Sequence, residues 1–229
     1  MNIALIIAGG IGSRMKSEIP KQFITVNDKP IIIYTLEKFE KHPAIDEIIV
    51  VTLQGWENIL YSYAKEFKIT KLKQIVLGGK VGQESIYNGI KYIANHYNEN
   101  DIVLIHDSIR PNVSSDIISD CINVITEHGS AVSVIPCNEA MLVSDNLNYA
   151  HELYDRSKLK RTQTPQGAKL KTLVELHKKA KELNITESVA TCTLMIETGQ
   201  DIYFSIGSEK NIKITTTDDL DIFKALIRE

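Results

Sequence analysis

Ile3 to Ala8 is a short run of apolar residues that stops abruptly at Gly9-Gly10, and a similar unit, a brief apolar run followed by apolar residues at helical spacing, recurs along the chain. An uninterrupted apolar run of this length suits a strand covered on both faces, since a strand with one wet face alternates. Further strands are expected at Glu47 to Thr52, Gln74 to Leu77, Ile102 to Ile105, Ala131 to Ile135 and Ile202 to Ile206, with a short one at Ile212 to Ile214. A helix opens at Pro30 after Asp28, a good cap residue, and carries Ile32, Leu36 and Phe39 up to His42-Pro43. Others are expected at about Trp56 to Phe67, across Ile86, Ile90, Ile93 and Tyr97, and from a Ser115 cap through Ile118, Cys121, Ile122 and Ile125 to Gly129. Lys169 to Leu183, Thr186 to Thr198 ending at Gly199, and a segment from Asp218 complete the helices.

Strands alternating with helices predict an α/β fold: a Rossmann-like, mostly parallel sheet with helices on both faces. Residues 139–153 break the rhythm, with short apolar stretches on either side of Ser144-Asp145-Asn146, which predicts a projecting β-hairpin arm with no packing partner inside the chain. The sequence carries no internal repeat or Pro/Gly/Ser-rich linker. With 229 residues, 43% of them hydrophobic, it is expected to form a single domain, residues 1–229, with the arm set apart from it.

A formal net charge of -3 excludes the globally basic surface that nonspecific nucleic-acid binding needs, so any phosphate must be held by a few local groups. No apolar run approaches the roughly 20 residues of a membrane helix, and the N-terminus lacks a signal-peptide pattern, so a cytoplasmic protein without membrane or nucleic-acid partners is expected. Cys121, Cys137 and Cys192 are widely spaced and odd in number, which suggests neither disulfides nor a zinc site. They read as small buried apolar residues.

The chemistry is concentrated in Ile7-Ala8-Gly9-Gly10-Ile11-Gly12-Ser13-Arg14-Met15, followed by Pro20-Lys21-Gln22. Glycines let a backbone approach phosphate closely, and Arg14 and Lys21 add positive charge, an arrangement suited to a nucleoside triphosphate. A lone Gly-x-Gly also serves as a plain strand-to-helix turn. The dinucleotide fingerprint fails because Met15 stands where its third glycine is needed, and the Walker sequence Gly-Lys-Ser/Thr is absent.

This opening resembles that of the polyol-phosphate cytidylyltransferases, the enzymes acting on ribitol 5-phosphate and methylerythritol 4-phosphate. Further matches follow in order: Gly78-Gly79 with Ser85, His106-Asp107-Ser108-Ile109-Arg110-Pro111, Asp155-Arg156, Thr162-Gln163-Thr164-Pro165-Gln166 and Asn211-Ile212-Lys213-Ile214-Thr215. The resemblance implies attack by a polyol-phosphate oxygen on the α-phosphorus of CTP, giving a CDP-polyol and pyrophosphate. Such a reaction rests on positioning and charge neutralisation rather than on a covalent nucleophile. It assigns Arg14 and Lys21 to the triphosphate, and Arg156 and Lys213 to the incoming polyol phosphate. The nucleotide would meet Ile7, Ala8, Gly9, Gly10 and Gly12, then Gly79, Lys80, Val81, Gly82, Gln83, Glu84 and Ser85, and Asp107. Arg110 and Thr164 would contact the polyol phosphate.

Asp107 ends a strand where ligands gather in open parallel sheets, and would hold Mg²⁺ across triphosphate oxygens, or else pair with Arg110 or cap a helix. His106 reads as structural. Arg110 and the arm at 139–153 correspond to features that reach across a homodimer interface in the methylerythritol-phosphate enzymes. Several positions depart from that branch: Glu139-Ala140 replaces a usual Asp-Thr, Lys210 replaces a frequent Asp, and Gly82 replaces a common Arg. Lys29-Pro30-Ile31 through Thr35-Leu36-Glu37-Lys38-Phe39 lies closer to the ribitol-phosphate branch. Ribitol 5-phosphate is therefore the expected substrate, with methylerythritol 4-phosphate the alternative. An inactive nucleotide-binding relative and a dinucleotide-dependent oxidoreductase are the readings from other classes.

Overall fold

The computed structural model describes residues 1–10, 19–145 and 148–227. Along the chain, β1 (Asn2–Ala8) precedes a small hairpin of β2 (Thr25–Val26) and β3 (Lys29–Pro30), then α1 (Ile31–Lys41), β4 (Glu47–Thr52), α2 (Glu57–Glu66) and β5 (Leu72–Leu77). The middle carries α3 (Gly82–Ala94), β6 (Ile102–Asp107), α4 (Ser115–His128), β7 (Ser130–Pro136) and the arm strands β8 (Met141–Val143) and β9 (Glu152–Tyr154). β10 (Lys160–Lys169), α5 (Leu170–Glu182), α6 (Thr191–Glu197), β11 (Phe204–Ile206) and α7 (Thr217–Leu226) follow.

Seven strands form the central sheet in the order β11-β7-β10-β6-β1-β4-β5. All neighbours are parallel except β10, which runs antiparallel to both β6 and β7. The apolar runs are continuous because successive side chains enter two different cores. Ala4, Ile6, Ile48, Val50 and Leu104 pack with Leu36, Phe39, Leu60, Ile118 and Ile125 on one face. Ile3, Leu5, Ile49, Val51, Val103 and Ile105 pack with Ile90, Ile93, Leu173, Leu176 and Leu194 on the other. Each large side chain so buried contributes about 1.5–3 kcal/mol. A third cluster, in which Phe223 of α7 joins Ile31, Ile109 and Ile214, seats the segment before α7 against the end of β6.

The structure corrects several sequence-based expectations. β10 is a full strand between β6 and β7 where only a short motif was recognised. Asp28 does not cap α1: it sits in the β2–β3 turn with φ 58°, and Pro30 occupies the cap position. The cap of α4 is Ser114, not Ser115, its hydroxyl accepting from the Ile117 amide at 3.3 Å. The helix expected from Thr186 to Thr198 is confined to α6, and Ile212 to Ile214 is not a strand. All three cysteines are buried and free.

The arm is present as an antiparallel β8–β9 pair, with Leu142 facing Leu153. Both are largely exposed, and among the described residues β8 and β9 pair only with each other. Among the described residues no helix is long and apolar enough to cross a membrane.

Candidate active site

Two glycine segments meet at the carboxyl ends of β1 and β5. Ser85, at the start of α3, braces the second: its Oγ accepts from the Gly79 amide at 3.0 Å and donates to the Val81 carbonyl at 3.1 Å, and it lies close enough to the first that a Cβ on Gly9 would be 3.1 Å from it. A Cβ on Gly78 would lie 3.0 Å from that Oγ and 3.3 Å from the Thr52 carbonyl oxygen, so a larger residue would have to push these atoms back, and glycine lets the chain pass this close unstrained. Buried Gln22 secures the first segment, its Nε2 donating to the carbonyls of Ala8 at 2.6 Å and Gly10 at 3.2 Å. Between the two segments lies a cleft of about 340 Å³ lined by 7–10, Lys21, Gln22, Leu53, 79–82, Ser85 and 107–109.

A smaller cleft of about 160 Å³ adjoins it, sharing Ile7, Gly82 and Asp107 and adding Arg110, Thr162, Thr164, Gln166 and Thr191. Asp107 therefore stands where the two meet. Its Oδ2 accepts from Arg110 Nε and pairs with Lys213 Nζ, both at 3.1 Å, and its amide donates to Thr164 Oγ1 at 3.1 Å. Burial pushes the Asp107 carboxyl up, but Lys213 and Arg110 outweigh it and hold the group below the ordinary carboxylate value. Arg110 is anchored in its own chain, donating also to the Asn211 carbonyl at 2.8 Å.

Asn211, wholly buried, donates to the Thr164 carbonyl at 2.9 Å and to Gln163 Oε1 at 3.3 Å. Gln163 in turn bonds both backbone groups of Ser208. These amides fix the 208–213 segment against the motif in β10, and so place Lys213. Neighbouring His106 is structural, as expected: it is fully buried, its Nε2 lies 3.1 Å from the Arg110 carbonyl, and burial pushes it down to about 4.

The predicted residues divide as follows. Ile7, Ala8, Gly9, Gly10, Lys21, Gly79, Lys80, Val81, Gly82, Ser85 and Asp107 share the larger cleft, and Arg110 and Thr164 the smaller. Gly12 and Arg14 lie outside the described residues. Gln83 lies on neither cleft, because its amide is turned away to the Ile185 carbonyl and the Ser188 amide, both at 2.7 Å. Glu84 lies beside the larger cleft, its carboxylate accepting from the Lys80 amide at 2.7 Å. Arg156 is exposed on a short helical turn after the arm and bonds the Asn138 carbonyl, away from both clefts of its own chain. Reading motifs missed Gln22, Gln163 and Asn211, although all three fall within quoted motifs; their buried amides are the signal.

Asp107 also bears on metal binding. Mg²⁺ prefers oxygen ligands and usually takes one or two carboxylates, completing its shell with water and phosphate. Asp107 supplies a hard carboxylate at the seam, with Oδ2 turned to the two cations, and no group of three or more His, Cys, Asp or Glu fit for a metal occurs among the described residues. The donor set suits a cation shared with a triphosphate rather than a closed protein cage.

Known proteins share the sequence and fold of this chain. The family model for 2-C-methyl-D-erythritol 4-phosphate cytidylyltransferase, IspD, matches residues 2–229. Ribitol-5-phosphate cytidylyltransferase from Lacticaseibacillus paracasei is 45% identical over all of this chain and 99% of its own. A 2-C-methyl-D-erythritol 4-phosphate cytidylyltransferase from Clostridium botulinum is 36% identical, over all of this chain and 98% of its own. The crystal structure of the Francisella tularensis IspD superposes with a TM-score of 0.82 at 28% identity, covering 98% of both chains. Sequence and fold agree, and the chain belongs to the IspD family of cytidylyltransferases.

Proposed function

We propose that this chain transfers CMP from CTP to D-ribitol 5-phosphate, releasing pyrophosphate. The observation that carries the substrate choice is the 45% identity, end to end, with a ribitol-5-phosphate cytidylyltransferase. An oxygen of the polyol phosphate attacks the α-phosphorus of CTP, and the bond to the pyrophosphate oxygen breaks. The backbone of 7–10 and 79–82 lines the cleft that would receive the nucleotide, with Lys21 beside it to neutralise charge on the triphosphate. Arg110 and Thr164 line the smaller cleft and Lys213 reaches Asp107 at its edge, where a guanidinium and an ammonium can hold the second phosphate in line with the α-phosphorus. Arg14, matched by motif, adds a further cation to the triphosphate.

Asp107 would hold Mg²⁺, which when bound neutralises phosphate charge. The chain's part is to present that carboxylate at the seam and to keep two cations against its other side. A homodimer built on the arm would bury the exposed Leu142 and Leu153 and give Arg156 a partner's cleft to serve. The reaction is placed in the cytoplasm.

Methylerythritol 4-phosphate is the second reading, favoured by the family model and by the Clostridium botulinum relative. Pyrophosphate release measured with CTP, Mg²⁺ and each polyol phosphate separately discriminates the two. Turnover is expected with ribitol 5-phosphate; turnover with methylerythritol 4-phosphate alone would overturn the choice, and none with either would overturn the enzyme reading.

A further inference from the structure

A third cleft lies between α3 and α5 and, at about 560 Å³, is larger than either part of the candidate active site. That volume falls within the range of small-molecule sites. Tyr87 and Val174 give it apolar walls. His177 also lines it, only 6% exposed, with its ring 5.3 Å from that of Tyr87 and its Nε2 buried without a hydrogen-bond partner among the described residues. Burial pushes this imidazole down to about 4, so it is neutral at physiological pH. Lys178 and Lys181 line the same cleft, and no salt bridge among the described residues involves either. Glu84, the acid in the described lining, is engaged by the Lys80 amide at 2.7 Å.

We propose that this cleft is a second ligand site, for a small flat apolar anion of the aromatic carboxylate or sulfonate class, coupled to the active site. The rings and Val174 supply the apolar contact, the two lysines attract the anion, and the neutral imidazole offers a polar edge. Coupling follows from shared backbone. Val81 lines both this cleft and the nucleotide cleft. Ile185 and Thr186 line it as well, and Gln83 ties that segment to α3 through the Ile185 carbonyl and Ser188 amide. Three residues further on, Val189, Ala190 and Thr191 border the cleft assigned to the polyol phosphate. A ligand that orders 185–188 therefore acts on the edges of both substrate clefts.

Anilinonaphthalene sulfonate, titrated into the intact folded protein by fluorescence and calorimetry, tests the proposal. Saturable binding at one dye per chain is expected, weakened about tenfold by Val174→Trp, which fills the cleft, and several-fold by Lys178→Glu with Lys181→Glu. The charge-reversed variant keeps the test valid if the tryptophan variant fails to fold. CTP with Mg²⁺ is expected to change dye affinity at least twofold without abolishing it, and the dye to change CTP affinity by the same factor. Absence of saturable binding, unaltered binding in the charge-reversed variant, or full displacement by CTP would overturn the site. Identical dye affinity with and without CTP would overturn the coupling.

Discussion

Replacing Lys213 by alanine separates the binding of the two phosphates. The ammonium sits 3.1 Å from Asp107 Oδ2 and is 41% exposed, so solvent screens this pair and it contributes less than about 1 kcal/mol to folding. Arg110 remains on the same carboxylate oxygen, so Asp107 keeps a cationic partner. A loss below about 1 kcal/mol in a chain of this length lowers Tm by no more than about 4 °C. The cost to the reaction is larger, because a hydrogen bond from a charged group to phosphate contributes about 1.5–3 kcal/mol. Steady-state pyrophosphate release with varied ribitol 5-phosphate at saturating CTP should therefore show kcat/KM reduced about 10- to 100-fold. Calorimetric CTP affinity should stay within about threefold, and Lys213→Arg should recover part of the loss. A fall in CTP affinity as large as the fall in kcat/KM would refute the assignment of Lys213 to the second phosphate.

Further expectations concern the triphosphate cation, a buried histidine and two packing positions. Lys21→Ala should lower kcat by much more than it weakens CTP binding, as single-turnover kinetics beside a binding isotherm would reveal; equal effects would reduce Lys21 to a simple binding contact. His106 titrates near 4 in the fold against an ordinary 6.5, so the unfolded chain takes up a proton that the native chain refuses as pH falls below about 6.5. Stability is complete above that value and is lost toward pH 4, by about 2 kcal/mol at pH 5, and denaturant melts of His106→Gln should show a shallower acid limb. Asn211→Ala removes contacts to Thr164 and Gln163 and should cost about 1–3 kcal/mol in urea melts. Gly167→Ala would put a Cβ 2.3 Å from the Val103 carbonyl oxygen and should prevent recovery of folded protein, as judged by circular dichroism.

The central strands were legible because burial on both faces writes an uninterrupted apolar run, as in Ile3 to Ala8 and Glu47 to Thr52. β10 was not, since Lys160, Arg161, Thr162, Gln163 and Thr164 are polar and Pro165 cannot donate to a ladder. It is tolerated there because the pairing with β7 shifts register between Thr162 and Gln166. The expected helix from Thr186 begins only at Thr191, and the Ile185 carbonyl, which would have accepted from its first turn, is taken by Gln83 Nε2. In the site, glycine spacing and a strand end located the larger cleft and the family resemblance pointed to the residues of the smaller, but direction is a three-dimensional property. Gln83 and Ser85 are two residues apart on α3, yet one turns to the 185–188 segment and the other into the glycine loops. Arg156 carries the motif but sits on an exposed turn, bonded to the Asn138 carbonyl and lining neither cleft of its own chain, a placement no spacing rule encodes.

The central claim is that this chain cytidylylates ribitol 5-phosphate in preference to methylerythritol 4-phosphate. Incubating the enzyme with CTP, Mg²⁺ and equal amounts of both polyol phosphates, and following product masses at early times, gives the ratio of the two kcat/KM values directly. CDP-ribitol accumulating well ahead of CDP-methylerythritol is the predicted result; the reverse order would contradict it.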